Sequence, residues 1–166
     1  MMKTKTLLHA VLLVLATSLF AGDGSGEADE AGSQRSPSPD GAAINFSNLS
    51  NGDVVPPVFT AKFSISGMGI APAGVEIDNT GHHHLLIDVQ QLPDFNQPLP
   101  ATNNIRHFGK GESETELRLP EGEHTLQLVL ADYEHIPHQP PVVSEQITIV
   151  VSANAPEPAA NEDRGQ

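Results

Sequence analysis

ETELRLPEGEHTLQLVL, residues 114–130, is the stretch of sequence on which the fold prediction rests. In residues 114–119 polar and apolar side chains alternate, and after a turn at residues 120–122 leucines recur at Leu126, Leu128 and Leu130. Successive side chains of a β-strand point to opposite faces, so a period of two is typical of a strand with one buried face. The stretch therefore predicts two half-buried strands joined by a turn.

The same alternation recurs elsewhere in the central region. Further strands are predicted in segments 44–46, 58–65, 83–89 and 145–151. No window keeps the three-to-four-residue apolar spacing of a helix, and prolines interrupt the loops. The sequence thus predicts an all-β fold, an immunoglobulin-like antiparallel β-sandwich of six or seven strands with long Pro- and Gly-rich loops.

The N-terminus has the pattern of a secretory signal peptide. Lys3 and Lys5 precede an apolar run over residues 7–20, and the small residue Ala21 follows. The run is shorter than the ~20 apolar residues of a membrane-spanning helix. We therefore expect a signal peptide over residues 1–21 and a periplasmic or secreted protein with no membrane insertion after cleavage.

Two further segments differ from the central region in composition. Residues 22–42 are rich in Gly, Ser, Asp, Glu and Pro without apolar periodicity, and residues 153–166 are similar. Such segments bury too little apolar surface to offset the entropy lost on ordering. The expected organisation is a disordered acidic linker over residues 22–42, a β-sandwich domain over residues 43–152 and a disordered tail over residues 153–166.

Composition and charge exclude several classes of function. The 166 residues include 8 Lys and Arg against 21 Asp and Glu, a formal net charge of -13. Nucleic acids and anionic membranes are bound largely through Lys and Arg, so neither is an expected partner, and cations are the more natural ligands. The chain has no cysteine, which excludes disulfides, thiolate metal sites and cysteine nucleophiles. Histidine is then the main candidate ligand for a transition metal.

Three consecutive histidines, residues 82–84, lie at the beginning of the strand predicted over residues 83–89. Residues at i and i+2 share a face about 6.6 Å apart, so His82 and His84 can converge on one ion. His83 points the other way, in phase with the apolar Leu85 and Ile87. We expect His83 to be buried and hydrogen-bonded.

Three more histidines complete the candidate metal site. The segment DYEHIPH, residues 132–138, carries two imidazoles three residues apart together with two carboxylates, and RHFGKG, residues 106–111, carries a third imidazole. Imidazole ligands without thiolate suit Cu(II), Zn(II) or Ni(II). Cu(II) is the expected ion and Zn(II) the alternative. The residues predicted to bind it are His82, His84, His107, His135 and His138.

Two other interpretations compete with metal binding. The histidines could brace loops in a metal-free interaction module of the cell envelope, and His124, in the core phase of its strand, is expected to be structural. A metal-dependent enzyme would need an open coordination position, and phosphate-loop, G-x-S-x-G and H-E-x-x-H signatures are lacking. Met68 could add a thioether ligand for Cu(I), although methionines more often fill cores. The expected partners are a metal ion and a periplasmic protein.

Several motifs of the central region resemble those of a known family. They are GMG (67–69), APAG (71–74), GHHHLLID (81–88), HFGKG (107–111), GEHTLQL (122–128) and HIPH (135–138). In this order they resemble the secreted bacterial family catalogued as domain of unknown function 4399, over about residues 44–151. The resemblance implies an exported bacterial protein with a single structural unit. It implies no activity.

Overall fold

The computed structural model describes residues 35–156, which form nine β-strands and no helix. The strands are β1 Ala43–Phe46, β2 Val54–Val55, β3 Val58–Ser66, β4 Gly69–Ile70, β5 Thr80–Ile87, β6 Ile105–His107, β7 Glu114–Arg118, β8 Gly122–Ala131 and β9 Ile147–Val151. All six strands predicted from alternation are present. The additional strands β2, β4 and β6 are two or three residues long, too short to show a period.

The strands form two sheets, which confirms the predicted all-β sandwich. One sheet has the order β1-β3-β7, and the other has the order β2-β9-β8-β5-β4 with β6 also paired to β5. Five of the seven strand pairs are antiparallel, whereas β2–β9 and β4–β5 are parallel. The turn in the stretch 114–130 connects the two sheets, because β7 pairs with β3 and β8 pairs with β5 and β9.

The main core lies between the two sheets. Phe59 and Phe63 of β3 are buried, and Leu126, Leu128 and Leu130 of β8 are fully enclosed. Burial of each leucine stabilises the fold by about 1.5–3 kcal/mol relative to an exposed side chain. The alternation that the sequence shows therefore marks the face of β8 that packs against the other sheet.

Strand β5 is buried on both faces. Leu85 and Ile87 belong to the core between the sheets, whereas Leu86 packs into a second cluster on the outer face of the larger sheet. This second cluster includes Leu99 of the long loop after β5 and Val129 of β8. Side chains on the outer face of β5 are therefore enclosed by loops rather than by the opposite sheet.

Residues 35–39 lie along the loop that follows β8, and we call them the N-terminal strap. The backbone N–H of Ser38 donates to the Gln139 carbonyl at 3.1 Å, and the N–H of Gln139 donates to the Ser36 carbonyl at 2.9 Å. The Arg35 guanidinium donates to the carbonyls of Pro137 and His138. Residues 35–39 were predicted to belong to the disordered linker 22–42. They are instead held by hydrogen bonds to residues about 100 positions away, which local composition does not reveal.

The other predictions about the termini concern segments outside residues 35–156. The predicted signal peptide over residues 1–21 and the tail beyond residue 156 lie outside the described residues. Residues 35–156 include no helix of the length and apolarity needed to cross a membrane.

Candidate metal centre

His82 and His84 lie together on the outer face of β5. Their ring centres are 4.8 Å apart, and both side chains are almost completely buried. Strand β5 is paired with β8 on one side and with β6 on the other, so the backbone beneath these imidazoles is held on both sides. His82 and His84 thus share one face of β5, as strand periodicity predicted.

Strand β6 brings a third imidazole to this pair. His107 lies opposite His84 in the β5–β6 register, and their ring centres are 5.2 Å apart. A Cβ atom on Gly109 would lie 2.3 Å from Cε1 and 2.6 Å from Nε2 of His107. The absence of a side chain at Gly109 therefore makes room for the His107 ring, which is exposed at the protein surface.

The loop after β8 supplies the fourth imidazole. Oδ1 of the buried Asp132 accepts the backbone N–H groups of Glu134 and Ile136, each at 3.0 Å, which closes a tight turn. Within that turn His135 has a φ of 70°, in the left-handed region that residues other than glycine seldom adopt. The turn directs His135 at His107, and their Nε2 atoms are 3.2 Å apart, so that one ring donates a hydrogen bond to the other.

His82, His84, His107 and His135 together form what we call the four-histidine cluster. The six distances between their ring centres run from 4.7 to 5.9 Å. Nitrogen ligands bind zinc at about 2.0–2.1 Å, so four imidazoles in a tetrahedral arrangement have ring centres about 5.2 Å apart. The observed spacing is close to that of four rings around one ion.

The ligand atoms of three members of the cluster are also close together, and His84 is the member outside this group. One ring nitrogen each from His82, His107 and His135 lies within 4.8 Å of the other two. Two nitrogens bound tetrahedrally to one ion are about 3.3 Å apart, and the 3.2 Å between His107 and His135 matches that value. Several histidines of this protein could thus form a metal site.

Among the described residues, His82 differs from the other buried histidines because both of its ring nitrogens lack a partner, whereas His83 and His138 each lack a partner at one nitrogen. Within residues 35–156, neither ring nitrogen of His82 has a hydrogen-bond partner, and Nδ1 of His84 has none either. A buried polar group without a partner costs about 1–3 kcal/mol. Burial, and next the neighbouring imidazoles, lower the pKa of His82 to about 4 and that of His84 to about 3. Both rings are therefore neutral at pH 7, which is the form that binds metal.

The buried histidines outside the cluster do have partners. The Nδ1–H of His83 donates to the Glu112 carbonyl at 3.1 Å, and its ring packs against Phe63 in the main core. His124 has Asp88 Oδ2 at 2.7 Å and the Pro120 carbonyl at 3.0 Å. The structural roles predicted for His83 and His124 are confirmed. Asp88 directly follows β5, has a φ of 55° and reaches His124.

His138 and Met68 lie apart from the four-histidine cluster. The Nε2–H of His138 donates to the Thr80 carbonyl at 3.1 Å, and the ring packs over Gly81, where a Cβ would lie 2.9 Å from its Cε1. Met68 packs against the main core between the sheets. Of the five predicted ligands, the structure brings His82, His84, His107 and His135 together and directs His138 to a backbone carbonyl.

Comparison with known proteins gives the family. Residues 61–152, more than half of the chain, match the family described as Domain of unknown function (DUF4399). The chain belongs to DUF4399. The DUF4399 region contains all four histidines of the cluster, whereas the N-terminal strap precedes it. No curated protein gave a significant match to this DUF4399 chain.

A solved structure of fibronectin(III)-like modules of Clostridium thermocellum CbhA is similar to part of this DUF4399 protein. The sequence identity is 12%, the TM-score is 0.39, and the match covers 72% of this chain and 51% of that chain. The chain thus spans about half the length of the protein it matches.

Sequence reasoning missed two features that build the centre. One is the packing of His107 over Gly109, for which the glycines of the motif HFGKG were a visible but unspecific signal. The other is the N-terminal strap, where the Ser36 hydroxyl donates to Asp132 Oδ2 at 2.7 Å and so supports the turn that carries His135. The contact of Ser36 with Asp132 joins residues 96 positions apart and has no short-range pattern in the sequence.

Proposed function

We propose that this protein binds one Cu(II) ion through His82, His84, His107 and His135, and that it is an exported protein that handles copper in the periplasm. The observation that carries the proposal is His82, which is 0% exposed and has two ring nitrogens without a partner in the described part of the chain. A bound ion would provide the missing partner for one of them. It would also offset the cost of burying His82 and His84 side by side.

The contrast with the other buried histidines supports this proposal over the metal-free interaction module. A neutral imidazole has one donor and one acceptor nitrogen. His83, His124 and His138 each reach at least one backbone or carboxylate oxygen, as expected of histidines that brace a fold. His82 reaches none, so bracing gives no reason for its burial.

The donor set favours copper among the divalent metals. The site offers imidazole alone, because the chain has no cysteine and Met68 packs in the main core. For a given set of nitrogen ligands, affinity rises along the first-row series to Cu(II) and then falls to Zn(II). Zn(II) is the alternative ion, since it also takes four imidazoles in a tetrahedral arrangement.

Export is proposed on the sequence. The basic residues and apolar run of residues 1–21 have the pattern of a signal peptide. We propose that the copper site of this exported protein stores, delivers or scavenges the ion. We propose binding rather than catalysis because all four candidate ligands come from the protein, which leaves no open coordination position for a substrate in a four-coordinate site.

Calorimetric titration of the tag-free mature protein with Cu(II) and Zn(II) tests the proposal. We expect one Cu(II) per chain, bound more tightly than Zn(II). The His82→Ala/His84→Ala variant removes both buried ligands and should lose this binding. Because His107 is exposed, His107→Ala provides a second variant whose folding is not at risk, and it should weaken binding.

His138→Gln is the matched control. It removes an imidazole from the same loop as His135 while leaving the four-histidine cluster intact, and it should bind Cu(II) as the wild type does. Circular dichroism of each variant establishes that the fold is retained. If the wild type bound neither ion, or if the cluster variants bound as well as the control, the copper site would be refuted and the metal-free interaction module would be preferred.

A further inference from the structure

A cavity adjoins the four-histidine cluster. It has a volume of about 380 Å³ and lies between the N-terminal strap, the loop that follows β4 and the beginning of the loop after β8. An ion with six waters occupies about 180 Å³ at the volume of liquid water, so the cavity can hold a hydrated ion. His82 lines this cavity and is also a member of the cluster.

The cavity is acidic. Glu76, Asp78 and Asp132 line it, and none of the described residues around it is Lys or Arg. Glu76 and Asp78 are exposed, and no ion pair involves either of them within residues 35–156. Arg35 in the strap is directed at the carbonyls of Pro137 and His138 rather than into the cavity.

His82 connects the cavity to the cluster. Its side chain is completely buried, and each ring nitrogen lacks a partner in the described structure. An ion that passes from the cavity into the cluster therefore finds an imidazole with no competing hydrogen bond. The acidic lining and the unpartnered imidazole are independent observations, and both favour a cation.

We propose that this cavity is the access route for divalent cations, where Glu76 and Asp78 collect the hydrated ion and His82 receives it on its way to the cluster. The inference rests on the proposed copper site and adds the path by which that site is filled. Clefts lined by one sign of charge raise association rates by about 10- to 1,000-fold.

The test is the association rate of Cu(II) with the double variant Glu76→Gln/Asp78→Asn. The chain contains one tyrosine, Tyr133, which lines the cavity, so quenching of its fluorescence by Cu(II) in a stopped-flow instrument reports loading. At low ionic strength we expect the association rate constant to fall by about 3- to 10-fold. The dissociation rate is set by the imidazoles and should change little.

The matched control is Glu121→Gln/Glu123→Gln, which removes the same charge at the far end of β8, about 27 Å along the strand from Ala131. It should load as fast as the wild type. Equal rates for the two double variants, with tight binding retained, would overturn the access route but leave the copper site standing. Absence of Cu(II) binding to the wild type would overturn both, so the two failures are distinguishable.

Discussion

Substitution of Gly109 by alanine should displace His107 from the metal centre. The added Cβ would lie 2.3 Å from Cε1 and 2.6 Å from Nε2 of the imidazole. Carbon atoms in contact are about 3.5 Å apart, so the ring must move by about 1.2 Å. Metal–ligand distances tolerate about 0.2 Å. The shift therefore removes His107 from an ion held by the other three imidazoles.

The expected loss of Cu(II) affinity is about 10- to 100-fold, which corresponds to about 1.4–2.8 kcal/mol. The fold should be retained, because the close contact is with an exposed side chain and Gly109 does not have a positive φ. Affinity is measured by competition with a chromophoric chelator of known affinity, and stability by urea unfolding.

A double-mutant cycle separates this effect from a general loss of structure. If Gly109→Ala acts through His107, the substitution should change nothing further in a His107→Ala background. Wild-type affinity in a folded Gly109→Ala protein would refute the reasoning, since it would mean that His107 is not a ligand. If the losses of Cu(II) affinity from the two substitutions added in the double variant, Gly109→Ala would act through a residue other than His107.

Three further predictions concern the histidines and their supports. The pKa values of His82 and His84 in the folded protein lie below the value of about 6.5 in the unfolded chain, so the unfolded state binds more protons in this range. The free energy of unfolding of the metal-free protein, measured with urea, should therefore fall as the pH drops from about 6.5 to 4. The fall should be smaller in His82→Ala/His84→Ala. An equal dependence on pH in the two proteins would contradict this prediction. Asp88→Asn replaces the carboxylate 2.7 Å from His124, and it should lower the free energy of unfolding by about 1–3 kcal/mol while Cu(II) affinity measured by calorimetry stays unchanged. Asp132→Ala removes the acceptor that closes the turn after β8, and it should weaken Cu(II) binding by about 10-fold; unchanged affinity would mean that this turn does not position a ligand.

Local periodicity predicted the main elements of the fold. The leucines of residues 126–130 point into the core as their spacing indicates, and the same period of two placed His82 and His84 on one face. Strands β4 and β6 could not be predicted in this way, because two or three residues show no period and these strands form only by pairing with β5.

The complete candidate site depends on contacts between distant parts of the chain. His107 meets His84 through the register of β6 on β5, and His135 meets His107 through the turn closed by Asp132. The sequence showed that His135 and His138 share a loop, but not that one would face the cluster and the other the Thr80 carbonyl. That difference is set by the tertiary contacts of the loop, which the spacing of two imidazoles does not encode.

X-ray absorption spectroscopy of the copper-loaded protein tests the central claim most directly. The four-histidine cluster predicts a first shell of four nitrogen atoms at about 2.0–2.1 Å, with the multiple-scattering pattern of imidazole rings. A first shell dominated by oxygen, or one with fewer than three imidazoles, would contradict the proposed site.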